Sequence, residues 1–285
     1  VSGGQSLIGG HSLVYALVLA SALLHATWNV LLRSGADRLW SITAMSLVSG
    51  LAAAVAVWVL PAPAVASWPF AAVSGALQVG YCLFLVWAYE QGELGQVFPI
   101  ARGAAPLLVA VGAAVFAGER LTPAALGGLV LVSAGIIGLS LGRQRLNTHA
   151  TILALASGGF IAGYMVCDGM GVRLSGQPFG YFAWMSLAQA APMPFAYFAI
   201  RRRWPAIGLD REAAKALGGG LISVVAYGVV VWAMTGAEMA KVSGLRETSI
   251  LFAAILAALF LKERFTLRRG ICAGLISLGA ILLAG

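Results

Sequence analysis

Ten stretches of about 20 residues run nearly free of charge, and short polar breaks separate them. They lie at roughly 12–33, 39–60, 69–90, 96–117, 122–141, 150–172, 178–200, 213–236, 242–261 and 266–284. A helix of about 20 mostly apolar residues crosses the hydrocarbon of a bilayer. The stretches are too long for strands, and their apolar positions do not alternate with polar ones. The pattern predicts an all-α integral membrane protein with ten transmembrane helices. The longest connection, 201–212 (RRRWPAIGLDRE), is amphipathic and is expected at the membrane surface. Residues 1–11 (VSGGQSLIGGH) read as a flexible lead or tag remnant, outside the fold. No basic region precedes the first apolar stretch and no cleavage site follows it, so a secretory signal peptide is not expected there.

The stretch 96–122, QVFPIARGAAPLLVAVGAAVFAGERLT, returns as 240–266, AKVSGLRETSILFAAILAALFLKERFT. At an offset of 144, Arg102 falls on Arg246, Glu119 on Glu263, Arg120 on Arg264 and Thr122 on Thr266. The match runs on through Ser133/Ser277, Gly135/Gly279 and Ile137/Ile281. Upstream the offset is 145, with Trp87 on Trp232 and Glu93 on Glu238. A fainter echo at 136 sets Trp28 on Tyr164. The chain therefore divides into halves, 12–142 and 143–285, with five spans each. An odd number of spans per half inserts the second copy upside down, the inverted-topology repeat of many secondary transporters.

Composition narrows the class. Of 285 residues 60% are hydrophobic and 10% charged, far from the quarter charged of a soluble domain. The 36 glycines suit closely packed membrane helices. The net charge of +8 would suit nucleic acid, but the basic residues fall in short loops between apolar stretches. Loops 1–2, 3–4, 5–6, 7–8 and 9–10 hold thirteen of them, from Arg33 to Arg269. The other face holds Arg120, Arg173 and Lys241, and Arg102 and Arg246 lie within spans. By the positive-inside rule this bias puts both termini outside the cytoplasm. Cys82, Cys167 and Cys272 all sit in apolar stretches and read as small buried hydrophobes rather than a disulfide framework or metal site.

Intramembrane polar residues are the candidates for chemistry. Arg102 lies about 9 Å into its span. With Arg246 it could guard a central cavity and attract a carboxylate or phosphonate. Alternatively, antiparallel fourth and ninth spans would bring Arg102 level with Glu263 and Arg246 level with Glu119, as two symmetric braces. Glu247, beside Thr248 and Ser249, could carry a proton or form a local ion pair. Asp168 and Glu90 are weaker candidates for proton carriers, since both lie near span ends, where they could simply reach water. His25, Trp28 and Asn29 share one turn of helix, for substrate hydrogen bonding or for helix–helix contact. Gln78, Tyr81, Tyr164, Tyr227 and Trp232 would give the cavity aromatic walls with a few polar groups. Trp87 and Trp232 also suit an interfacial belt. Pro99 and Pro106 would kink the fourth span, and Ser243-Gly244 would hinge the ninth. No phosphate loop, H-E-x-x-H or G-x-S-x-G occurs, and no metal or cofactor is expected.

The doubled G-E-R-L-T (Gly118 to Thr122) and K-E-R-F-T (Lys262 to Thr266), the Gly-rich spans after them and the A-T-W-N at Ala26 to Asn29 resemble the EamA family of the drug/metabolite transporter superfamily. The resemblance covers the chain from residue 12 onward. It implies export of small metabolites or amino acids by alternating access without ATP hydrolysis, and both termini in the cytoplasm, opposite to the charge count. The expectation is a multi-pass protein of the bacterial inner membrane, monomeric or weakly dimeric. It would export an amino acid or related zwitterion or anion, with protons as a coupling ion and no nucleic-acid partner. An uncoupled facilitative carrier is the nearest alternative. A membrane-embedded enzyme or lipid-handling protein is the alternative from another class, and it needs a catalytic pair in the cavity.

Overall fold

The computed structural model describes residues 3–33, 37–91, 94–140, 148–205, 208, 210–253 and 266–285, and every regular element among them is helical. The helices are α1 (Gly3–Arg33), α2 (Arg38–Val59), α3 (Trp68–Gln91), α4 (Leu94–Ala117), α5 (Pro123–Gly138), α6 (Thr148–Ser175), α7 (Pro178–Ala190), α8 (Met193–Arg201), α9 (Arg211–Ala233), α10 (Met239–Arg246) and α11 (Leu267–Ala284). A short 3₁₀ turn, Val65–Ser67, leads into α3. Among the described residues, six helical stretches are long and apolar enough to cross a membrane: 38–59, 65–88, 97–117, 148–175, 211–233 and 267–284. The helix α1 takes in most of the stretch read as a lead.

Polar residues between the apolar stretches set the helix ends. Asp37 accepts from the amides of Leu39 and Trp40 at the start of α2, and Asp210 from that of Ala213 at the start of α9. The threonine of each E-R-x-T copy is a helix cap: Thr122 Oγ1 accepts from the Ala125 amide and Thr266 Oγ1 from that of Arg269. Gly118, which opens the first motif, has φ +66°, a left-handed turn that ends α4 and that residues with a Cβ adopt at a cost.

Two spans depart from expectation. The seventh breaks at Ala191–Pro192 into α7 and α8, because Pro192 and Pro194 supply no amide hydrogens there. The ninth breaks at Glu247–Thr248 and resumes at Ser249. Its tight bonds, Thr248 N to Leu245 O and Ile250 N to Glu247 O, replace the α-helical ladder. Ser243 and Gly244, the expected hinge, lie inside α10. The fourth span carries Pro99 and Pro106 within one continuous helix.

Helices from the two halves interleave. α1 packs on α9 and α6 on α3; α2 packs on both α7 and α9, and α3 on α7. α4 lies against α6 and α10, and α5 against α11. The α5–α11 pair is antiparallel and close: a Cβ on Gly128 would come within 2.8 Å of the Gly279 carbonyl oxygen, and one on Gly135 within 2.8 Å of that of Cys272. Successive loops meet on opposite ends of the bundle. At one end Ala64 N donates to Ser175 O, and Arg173 holds Glu119 and the carbonyls of Met234 and Ala237. At the other, Arg201 pairs with Asp37.

Candidate functional site: a cationic cavity between the halves

Helices of both halves enclose a cavity of about 130 Å³. Seven residues singled out from sequence line it: His25 and Trp28 from α1, Gln78 and Tyr81 from α3, Tyr164 from α6, Tyr227 from α9 and Arg246 from the end of α10. The other five lie elsewhere. Asn29 donates to the His25 carbonyl of its own helix at 2.7 Å. Trp232 packs against the hydrophobic core. Arg102, Glu247 and Ser249 are buried outside the cavity lining.

Arg246 is the charged group of the cavity wall. Only 5% exposed, its guanidinium lies 5.0 Å above the Tyr227 ring and its Nη1 reaches Tyr164 Oη at 3.4 Å. Among the described residues no carboxylate is within ion-pair distance of it. The ring faces supply partial compensation, since a desolvated cation over an aromatic face gains roughly 2 kcal/mol. Below Tyr227 sits Asp168. It was expected near water at a span end, yet it is fully buried, because α6 continues two turns beyond it to Ser175. Tyr227 Oη donates to Asp168 Oδ2 at 2.6 Å and Tyr181 Oη to Oδ1 at 3.1 Å. The carboxylate therefore fixes the tilt of the ring on which Arg246 rests.

The expected brace between Arg246 and Glu119 does not form. Arg102, 1% exposed, pairs with Glu247, Nε to Oε2 at 2.7 Å. Consecutive residues on a helix point about 100° apart, so at the end of α10 Glu247 turns to α4 while Arg246 turns to the cavity. Glu119 accepts from Arg173 at 2.6 Å and from the Met239 amide at 2.9 Å, which caps the start of α10. Arg246 is seven residues further along that helix, about 10 Å away, out of reach of Glu119. Glu263, the other expected partner, lies outside the described residues, and nothing is described of the Glu90 side chain.

His25 joins the ion pair to the cavity. Its Nε2 faces Arg102 Nη2 at 3.0 Å and its Nδ1 faces the Trp28 indole Nε1 at 3.1 Å. Guanidinium and indole are donors only, and a neutral imidazole has one acceptor nitrogen. The Trp28 indole, which donates to Nδ1, borders the cavity.

Sequence reading missed the wall made by α2 and α7. Ser46 and Ser49 face the cavity, as do Ser186 and Gln189, with Gln189 Nε2 donating to Ser46 Oγ at 3.0 Å. Ser and Gln scattered in apolar helices carry no spacing signal. The one available hint was their rarity in stretches otherwise built from Ala, Val and Leu.

Fold and cavity define a multi-pass helical membrane protein with a polar, cationic interior. The model of the EamA-like transporter family matches residues 149–285. This second part of the chain is therefore similar to a family of membrane transporters. No curated protein matches the chain. A solved structure titled "Crystal structure of protein" covers 96% of both chains with a TM-score of 0.73 at 21% identity, so the fold is one seen before.

Proposed function

We propose that the protein is a secondary transporter that exports a small metabolite bearing a carboxylate, an amino acid or related zwitterion or anion, by alternating access. The observation that carries this reading is Arg246: a buried guanidinium on the cavity wall, over Tyr227, with no carboxylate partner among the described residues. A buried cation without an anion is costly, and a substrate carboxylate would supply the missing charge. Gln78, Gln189 and the cavity serines offer bonds to an ammonium or hydroxyl.

The ten-span inverted repeat, as halves 12–142 and 143–285, is supported by paired contacts. Gly128 meets Gly279 while Gly135 meets Cys272, and at the offset of 144 those are the same contact taken twice. Gly75 of α3 approaches Ala188 of α7, and Gly220 of α9 approaches Met45 of α2. Symmetry of this kind lets the halves exchange conformations around a central site. The broken helix at Glu247–Thr248 has the Arg102–Glu247 pair at a discontinuity beside the cavity, where protonation of the carboxylate would free Arg102. That supports proton coupling over uncoupled passage. We place the chain in a bacterial inner membrane, where it works as a monomer or weak dimer.

A binding screen tests the cargo. In lipid nanodiscs, short carboxylates and amino acids are expected to raise the melting temperature, whereas amines of equal size are not. Arg246→Gln should weaken binding by roughly 10- to 100-fold, the loss of one charge-assisted contact, with little change in the melting point of the free protein. Equal stabilisation by amines, or binding unaffected by Arg246→Gln, would defeat the assignment.

A further inference from the structure

Beside the polar cavity lies an apolar groove of about 320 Å³ between α2, α7 and α9. Ala53, Ala56 and Leu60 form one wall, and Val225, Gly228 and Val229 another. The groove reaches the outer surface at Phe179 and Val225, which are more than half exposed. At its inner end it runs into the cavity, for Ser49, Phe182, Ser186 and Val224 line both. The aromatic path between them is unbroken: the Phe182 and Tyr227 rings are 6.2 Å apart, and Arg246 lies over Tyr227.

Size and polarity say what such a pair of spaces holds. The cavity alone, about 130 Å³, is smaller than the 300–1,000 Å³ or so of ligand sites in general, whereas cavity and groove together fall in that range. Their linings differ in kind. Every charged group is at one end, and the other offers only hydrocarbon beyond the two boundary serines. A lipid tail alone would leave Arg246 unanswered. A purely polar solute would leave the groove unused.

We infer that groove and cavity together form one amphipathic site: Arg246 holds the carboxylate head of the substrate, and the groove between α2, α7 and α9 holds an unbranched hydrocarbon tail. This rests on the anionic-cargo reading above and narrows it from small carboxylates to tailed ones. The open outer end of the groove lets a longer tail extend towards the bilayer.

A series of straight-chain 2-amino acids from three to eight carbons tests it, titrated by tryptophan fluorescence against the full chain in lipid nanodiscs. Affinity is expected to rise about two- to fourfold with each methylene, the upper figure being full burial of a CH₂. Ala56→Phe, which fills the groove, should flatten the series by removing the gain per methylene; Val229→Phe on the facing wall provides the same block should the first variant not fold. A flat series in the parent, or one equally steep in both blocked variants as bilayer partitioning would give, overturns the tail assignment. If alanine binds through Arg246 but tails add nothing, the tail assignment alone falls. If no acid in the series binds, the carboxylate reading falls with it.

Discussion

Two neighbouring residues, Arg246 and Glu247, serve opposite ends of the account. Glu247 neutralises Arg102 in a buried contact between α4 and the end of α10, and Arg246 faces the cavity with no carboxylate partner among the described residues. Breaking a buried pair by removing one charge is far worse than removing both. Glu247→Gln should therefore cost about 3–5 kcal/mol in reversible unfolding, whereas Arg102→Met combined with Glu247→Leu should recover most of that loss. Equal destabilisation by the single and double variants would show that the pair contributes nothing specific. Asp168 behaves differently, since its partners are neutral hydroxyls. Asp168→Ala frees the Tyr227 ring, so binding of a carboxylate solute should fall several-fold, and Asp168→Asn, which still accepts a bond, should restore part of it. The arginines and aromatic residues were legible in sequence because charge and rings are conspicuous in an apolar helix. Their pairing was not, because it depends on register: a shift of one residue at the end of α10 exchanges the cavity-facing group with the one facing α4.

At the scale of elements, the E-R-x-T repeat has a structural reading that its sequence did not disclose. In each copy its threonine caps the next helix, and in the first copy its glutamate caps a helix of the other half. The glycines of α5 and α11 have a similar role, allowing backbone contact across the line where the halves meet. Gly128→Val would drive a side chain into the Gly279 carbonyl and is expected to lower the melting temperature strongly. Gly127→Val, on the same helix with open space beside it, should change it little. Comparable losses from the two would mean that helix propensity, and not the close crossing, sets stability. Among the described residues the helical character of the apolar stretches followed from length and hydropathy, six of them being helices long and apolar enough to cross a membrane. The two breaks did not. Pro192 and Pro194 announce one of them in retrospect, but the turn at Glu247–Thr248 has no proline or glycine at the break itself, and arises where the chain closes on a buried ion pair.

Across the whole molecule the basic residues mark one end of the bundle. The poorer end has Arg120, Arg173 and Lys241, and two of these are spent on Glu119 and Glu238. The richer end includes Arg201, Arg202 and Arg203, all exposed, and is expected to face the cytoplasm. A cysteine at Arg202 should then be modified by an impermeant thiol reagent only from the cytoplasmic side, and one at Thr235 only from the other; the reverse result would favour the orientation implied by the family resemblance. The lateral groove was not legible in the sequence, since it arises from three helices that share no motif. The central claim is that a solute with a carboxylate passes through the cavity by way of Arg246. Its most direct test is flux of labelled amino acids into proteoliposomes holding the parent or Arg246→Gln, with and without a pH gradient. The account predicts saturable flux in the parent, accelerated by the gradient, and at least about a tenfold loss in the variant at unchanged folding. Undiminished flux through Arg246→Gln would contradict it.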